Sequence, residues 1–300
     1  MAILIRPAIA AVLVMTFVFT TSCITTSNTT SATDDPKNLS QVAYPDKALG
    51  EDNFKEWFTY YYRDPKPELT PYYMRFMSES GFIRRQPEMM MVFLSQVFKA
   101  NPAKLTEWQK SWKGYDQYDV YVIWAALLLS KDAGAEKLAK AEIHAASEID
   151  QKVFMKFMQE FAFEQNDITG MLQKPRYIKA IWGAFYATGD LTYVDRVIAI
   201  VPFYDAREGT VEFLAGKTAL WSIAGNAVGH PMVLGHISKV SKAHPDNSVR
   251  AYLGAILEAL FNAYEKQKRE GGGKAKPPKA PTTNTGVEAR NRHNPAPLLR

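Results

Sequence analysis

Apolar residues recur every three or four positions along most of the chain from Asp52 to about Glu270. This spacing places them on one face of an α-helix. The longest such stripe runs for over four turns from Val249 to Tyr264 and includes Tyr252, Leu253, Ile256, Leu257, Leu260 and Phe261. The segment Asp119–Leu129 begins with β-branched residues, but its length and its Ala/Leu ending favour a buried helix over a strand. The pattern therefore predicts an all-α fold.

Proline and glycine mark the expected ends of about eleven or twelve helices. Proline is favoured at the first helical position, and predicted helices begin near Pro71, Pro87, Pro102, Pro175 and Pro231. Thr70 and Asn101 precede two of these prolines and are predicted N-caps. Glycine often follows the last turn of a helix, and this predicts helix ends at Gly81, Gly189 and Gly229. Asp190 is placed to cap the helix that follows Gly189.

Two segments have the layout of a helical hairpin. Lys174–Pro202 reads as a helix, a Gly turn and a helix, and Thr70–Asn101 has a similar arrangement around Gly81. Units of about 30 residues are typical of α-solenoids. The layout resembles tetratricopeptide-type hairpins, although the W-x₂-L-G-x₂-Y signature is absent. We predict an irregular α-solenoid of stacked helical hairpins, with a compact helical bundle as the alternative.

The N-terminus combines one positive residue, an apolar run and the only cysteine. Arg6 precedes the run Ala8–Phe19, and Thr20-Thr21-Ser22 leads into Cys23. The run has the length of a signal-peptide core and is short for a bilayer span, which needs about 20 apolar residues. The order resembles a bacterial lipoprotein signal, although that class usually has Leu where this chain has Thr20.

The resemblance implies a signal peptide over residues 1–22 and lipid attachment at Cys23, which would become the mature N-terminus. Because Ile24 rather than Asp follows the cysteine, it also implies anchoring in the outer membrane on its periplasmic side, if the organism has one. Simple secretion after cleavage near Ser22 and an uncleaved anchor are the alternatives. Residues 23–50 are rich in Thr, Ser and Asp, and this composition predicts a flexible tether.

The chain carries a formal net charge of +5. Nine Lys and Arg against three Glu from Glu265 to Arg300 give this end a net charge of +6. The helical domain, predicted over residues 51–269, is therefore not basic, and we expect no nucleic-acid partner. Residues 270–300 are rich in Pro, Gly and Lys, which predicts a disordered tail. The tail is expected to be a solvated terminus, and the functional alternative is contact with an anionic component of the cell envelope.

No recognised catalytic or cofactor motif occurs in the sequence. A single cysteine excludes an intramolecular disulfide and a Cys-based zinc site. The patterns GxSxG, HExxH, Walker A and GxGxxG are absent. His230, His236 and His244 are six and eight residues apart, whereas a helical metal pair needs a spacing of three or four. We therefore predict no catalytic residue, no metal and no cofactor.

Six residues form the candidate binding groove. Lys217 lies on or beside an apolar stripe, where burial can change the chemistry of an amine. The segment around Trp221 and Asn226 combines aromatic and polar groups with small residues. The predicted groove consists of Trp182, Tyr186, Lys217, Trp221, Asn226 and His230. The alternative is ordinary core packing, with a helix C-cap at Asn226 and a helix start at His230.

These features predict a lipid-anchored envelope protein that acts through protein–protein contacts, as a scaffold, an assembly factor or an immunity-type inhibitor. Stacked helical hairpins present extended surfaces that suit such contacts. An enzyme acting on cell-envelope polymers is a competing hypothesis and would need a buried acid or base. A carrier of a small apolar ligand is a third hypothesis and would need a large dry cavity.

Overall fold

The computed structural model describes residues 51–112, 114–161 and 176–270. Within these ranges the regular structure is helical and contains no strand, which confirms the all-α prediction. The described residues hold thirteen α-helices, against the eleven or twelve expected. The signal peptide, Cys23, the tether and the basic tail from Gly271 onward lie outside the described residues.

In chain order the helices are α1 (Glu51–Thr59), α2 (Thr70–Glu79), α3 (Phe82–Arg85), α4 (Pro87–Ala100), α5 (Leu105–Gln109), α6 (Gln117–Leu129), α7 (Ala133–Ala145), α8 (Glu148–Glu160), α9 (Arg176–Thr188), α10 (Thr192–Ile198), α11 (Val211–Gly229), α12 (Pro231–Ala243) and α13 (Asn247–Glu270). Short 3₁₀ turns lie at Pro67–Leu69, Pro102–Lys104, Lys110–Trp112 and Val201–Asp205.

The contacts of the chain divide it between Ala219 and Leu220. Among the described residues, 51–219 belong to a first unit and 220–270 to a second unit. The predicted helical domain, 51–269, covers both. Helix α11 supplies its first half to the first unit and its second half to the second.

Helix α4 lies at the centre of the first unit and packs against α6 and α9. Its sequence is apolar on nearly every side, as expected for a helix with neighbours all round, and Met90, Phe93 and Leu94 are fully buried. At the contact with α9, Gly183 lies directly against the main chain of α4, because a Cβ placed there would be 2.5 Å from the Met89 carbonyl oxygen. Small residues thus let the two helix backbones approach closely.

An aromatic cluster fills the first unit beside α4. Phe58 of α1 lies over Phe93 of α4 with ring centroids 4.6 Å apart, and Trp57 stacks on Tyr73 of α2 at 4.7 Å. The main-chain N–H of Tyr62 donates to the Tyr186 carbonyl oxygen at 3.0 Å. This bond attaches the turn after α1 to the last part of α9, so chain segments about 120 residues apart share one core.

The packing of α4 against α9 joins helices that are far apart in sequence. A strict solenoid relies on contacts between successive repeats, so this pair adds a long-range contact to the sequential ones. The hairpin predicted around Gly189 is present, with α9 packed against α10, whereas around Gly81 the short helix α3 separates α2 from α4. Both glycines adopt a positive φ, +69° and +68°. The choice between an irregular solenoid and a compact bundle stays a prediction.

The N-caps predicted at Thr70 and Asn101 are wrong. Neither side chain caps a helix: Thr70 already belongs to α2, and the Asn101 amide donates backwards to the Val97 carbonyl oxygen at 2.8 Å. Side-chain caps occur instead at the starts of other helices, where they accept from first-turn N–H groups; these are Asp116, Asp132, Ser147, Thr210 and Asp246. Asp190, the predicted cap of α10, accepts from the Thr192 N–H at 2.9 Å, but it lies one residue before the N-cap position, which Leu191 occupies.

The second unit contains the end of α11 and the hairpin of α12 and α13. Val233 and Ile237 of α12 and Val249 and Leu253 of α13 are fully buried. The predicted stripe on α13 is therefore confirmed in its first half. Farther along, Phe261 of the same stripe is 62% exposed.

Candidate functional site

Three of the predicted groove residues belong to the first unit. Trp182 is buried in α9, where its ring stacks on Tyr186 at 6.4 Å and meets Phe185 edge-on at 5.6 Å. Tyr186 is half-buried and packs edge-on against Phe58 of α1 at 5.6 Å. Lys217 is half-buried in α11. The two aromatic residues are thus extensions of the core beside α4.

The other three groove residues belong to the second unit. Trp221 is 53% exposed, whereas the other five tryptophans are at most 7% exposed. The Asn226 amide donates to the Ser222 carbonyl oxygen at 2.9 Å, and α11 continues beyond it to Gly229, so Asn226 is not a C-cap. His230 is buried and precedes α12, as expected for a helix start. The grouping of all six residues into one groove stays a prediction.

Sequence reasoning missed a buried carboxyl group in the first unit. Asp119 lies in the first turn of α6 and is completely buried. The Ser78 hydroxyl of α2 donates to its Oδ2 at 2.6 Å, while Arg84 Nε of α3 approaches Oδ1 at 3.7 Å. Arg84 Nε and Asp119 Oδ1 form an ion pair, but their separation is too long for a hydrogen bond. Oδ1 therefore has no hydrogen-bond partner.

Burial dominates the electrostatics of this carboxyl. It raises the pKa of Asp119 above its ordinary value, while the Ser78 hydrogen bond and the Arg84 charge act in the opposite direction. Arg84 also lies 3.5 Å from the exposed carboxylate of Asp116, which is the N-cap of α6. The Asp119 carboxyl connects α2, α3 and α6 through polar contacts. Because it has no contact with solvent, a large substrate does not reach it.

A second buried carboxylate joins α4 to the start of α9. Glu88 is buried, and its Oε1 lies 3.0 Å from Arg176 Nε. The Arg176 guanidinium also lies over the Phe161 ring, 5.0 Å from its centroid. A cation held between a carboxylate and an aromatic face contributes both charge pairing and a cation–π contact. This pair accounts for the buried charge of Glu88 without a ligand.

A tyrosine links α6 to the cap of α8. The Tyr121 hydroxyl donates to Asp150 Oδ1 at 2.8 Å, and the Ser147 hydroxyl donates to Oδ2 at 2.6 Å. Burial, followed by the hydrogen bond to Asp150, raises the pKa of Tyr121 to about 12. Both hydroxyl donors lower the pKa of Asp150. The arrangement keeps Tyr121 neutral and fixes the start of α8.

These polar groups connect helices of the first unit to one another. Over the described part of the chain, no three His, Cys, Asp or Glu side chains come together as a metal site would require. The one sequence signal for Asp119 is a charged residue at the start of an otherwise apolar helix. Its partners Ser78 and Arg84 lie on other helices, and spacing along the chain does not reveal them.

Comparison with known proteins adds no family: no protein-family model, curated protein or solved structure matches the chain. Of the helices described, none combines the length and apolarity needed to cross a bilayer. The class defined by the fold is therefore an all-α protein.

Proposed function

We propose that this protein is a lipid-anchored component of the cell envelope that acts through protein–protein contacts. The observation that carries the proposal is the order Arg6, apolar run, Thr20-Thr21-Ser22 and Cys23, which places the only cysteine at the end of a signal-like segment. In the proposed form, residues 1–22 are removed, Cys23 carries lipid, and the chain faces the periplasm from the outer membrane.

The helical body supports a role in contacts. Large apolar side chains remain exposed on several helices, among them Ile149, Met155 and Leu214 in the first unit. The buried acids Asp119 and Glu88 are paired with Arg84 and Arg176, which favours a binding protein over an enzyme on envelope polymers. The proposal keeps the irregular solenoid as the arrangement that would present these surfaces.

Lipid attachment is tested by expressing the full chain in a bacterium that processes lipoproteins. We expect the mature protein to begin at Cys23 and to carry a thioether-linked lipid, detected by mass spectrometry of the N-terminal peptide. Cys23→Ser should remove the lipid and release the protein from the membrane fraction, because serine lacks the thiol that forms the thioether. Thr26→Ala, beyond the signal-like segment, is the matched control and should retain the lipid. Recovery of an unmodified chain that still begins at Met1 would refute the anchor.

The contact function is tested separately by cross-linking the processed protein in intact cells. We expect a discrete set of protein partners whose recovery resists high salt. A partner held by the basic tail alone would be lost at high salt, because exposed charges are screened within about 10 Å at 0.1 M. Absence of any salt-resistant partner would contradict the contact function and leave the anchor unaffected.

A further inference from the structure

The second unit differs from the first in charge. The second unit, residues 220–270, contains six Lys and Arg against four Asp and Glu, a net charge of +2, and residues 271–300 add six Lys and Arg against one Glu. Residues 51–219 contain 21 Lys and Arg against 23 Asp and Glu, a net charge of −2. The second unit is thus slightly basic, and most of the positive charge of the protein follows Glu265, from the last turns of α13 onward.

The second unit also carries the exposed aromatic anchors. Large exposed apolar side chains occur in both units, but the two aromatic ones, Trp221 and Phe261, both belong to the second. Val228 is exposed as well and lies seven residues after Trp221 on α11. A step of seven residues is two helical turns, so Trp221 and Val228 share one face of α11.

Helix α13 combines an exposed aromatic ring with cations. It has 24 residues and its hairpin partner α12 has 13. Its last eleven residues therefore extend beyond α12 by about 16 Å. Phe261 lies on this extension, and the exposed Lys268 follows it two turns later on the same face.

We propose that the second unit binds the surface of a bilayer that contains anionic lipid, through Trp221 and Val228 of α11 and through Phe261 and Lys268 of α13. Tryptophan and phenylalanine partition into the headgroup region, and Lys and Arg pair with anionic headgroups. The cations Lys266, Lys268 and Arg269 follow Phe261 within eight residues on α13 and complement such a surface. The choice of a bilayer as the occupant rests on the proposed lipid anchor, which would hold the chain beside one.

A noncovalent contact of this kind would also add to the free energy of membrane binding that the lipid supplies. Acyl chains contribute about 0.8 kcal/mol per buried CH₂, and a contact through the folded body would add to that attachment. A second contact orients the protein as well as strengthening its attachment.

Trp221 supplies a direct probe, because the other five tryptophans are buried. The test uses the full chain with Cys23→Ala, so that a failure here is distinguishable from a failure of the lipid anchor. Acrylamide quenching of tryptophan fluorescence is measured with vesicles of phosphatidylcholine alone and with phosphatidylglycerol added. We expect protection of Trp221 on the anionic vesicles at low salt, weaker protection at high salt, and none on the neutral vesicles.

Variants assign the contact to residues. Phe261→Ser should weaken binding to anionic vesicles by about tenfold, as expected for removing one aromatic anchor. Lys268→Glu should also weaken binding to anionic vesicles, and the loss should be larger at low salt than at high salt. Ile149→Ser, a matched change at a 74% exposed residue of the first unit, should leave binding unchanged. Trp221→Phe should abolish the quenchable signal, which checks the assignment of the probe.

The apolar run Ala8–Phe19 is present in every variant, so its own affinity for vesicles does not produce the expected differences. Quenching of Trp221 that is the same with and without anionic vesicles at low salt would overturn the proposal. Protection that grows with protein concentration in the absence of vesicles would also overturn it and would indicate a second copy of this chain as the occupant.

Discussion

Replacing Gly183 with alanine tests the close contact between α4 and α9. In the structure, the new Cβ would lie 2.5 Å from the Met89 carbonyl oxygen, 3.2 Å from the Met89 Cγ and 3.3 Å from the Met89 carbonyl carbon. The nearest of these is main chain and cannot rotate away as a side chain can. The alanine therefore fits only if the two helices move apart.

The size of the effect follows from that distance. Ordinary contact for a Cβ begins at 3.4 Å, so the oxygen is 0.9 Å too close. Forcing an extra methyl group into a packed core costs about 1–3 kcal/mol. Alanine gains about 0.5–1 kcal/mol over glycine in a helix interior. Because the obstacle at Gly183 is main chain, we take the upper half of that cost, about 2–3 kcal/mol. After the gain in helix propensity, we expect Gly183→Ala to lower the free energy of unfolding by about 1–2.5 kcal/mol.

The assay is urea unfolding followed by circular dichroism and by tryptophan fluorescence. Fluorescence reports mainly on the first unit, which holds five of the six tryptophans. Gly254→Ala is the matched control, because a Cβ at this position in α13 meets no atom within 4 Å. That control should raise the free energy of unfolding by about 0.5–1 kcal/mol, as expected from helix propensity alone.

The reasoning about the α4–α9 contact would be refuted if Gly183→Ala were as stable as the wild type or gained stability like the control. Such a result would mean that α9 does not approach the main chain of α4 at Met89.

Two further predictions concern the polar groups of the first unit. Burial raises the pKa of Asp119 above 3.8, so the stability that this group contributes is fully present below about pH 3.8 and is lost as the pH rises through the raised pKa. Asp119→Asn should therefore gain stability relative to the wild type as the pH rises above 3.8; a pH-independent difference in urea unfolding would contradict this. Ser147→Ala should destabilise the protein by about 0.5–2 kcal/mol, because Ser147 Oγ accepts from the Asp150 N–H at 3.1 Å, and Ser147→Asp should restore most of the loss in thermal unfolding. An alanine variant as stable as the wild type would contradict the cap.

The fold class and most helix positions could be predicted from periodicity because a buried helical face repeats every 3.6 residues. The stripe that begins at Val249 and the helix over Asp119–Leu129 are examples. Capping was harder to predict, since a residue such as Thr70 or Asn101 suits a cap by its chemistry but caps only if the backbone turns at that residue. The structure placed Thr70 within the helix and turned the Asn101 amide back to α4.

The candidate groove shows the same limit. Trp182 and Trp221 are the same residue type on helical stripes, yet one is buried beside Tyr186 and the other is exposed. Which stripe is covered depends on which other helices reach it, and those helices can be distant in sequence. The exposed Phe261 on the otherwise apolar stripe of α13 has the same cause, since α13 continues beyond its shorter partner α12.

The sequence by itself determined the all-α class and the position of most helices, because both depend on local periodicity and on Pro and Gly at helix ends. It also located the positive charge near the C-terminus. Only the tertiary structure decided the pairing of α4 with α9, the burial of Asp119 between Ser78 and Arg84, and the exposure of Trp221. These features depend on contacts between segments far apart in the chain, and the local spacing of residues does not predict such contacts.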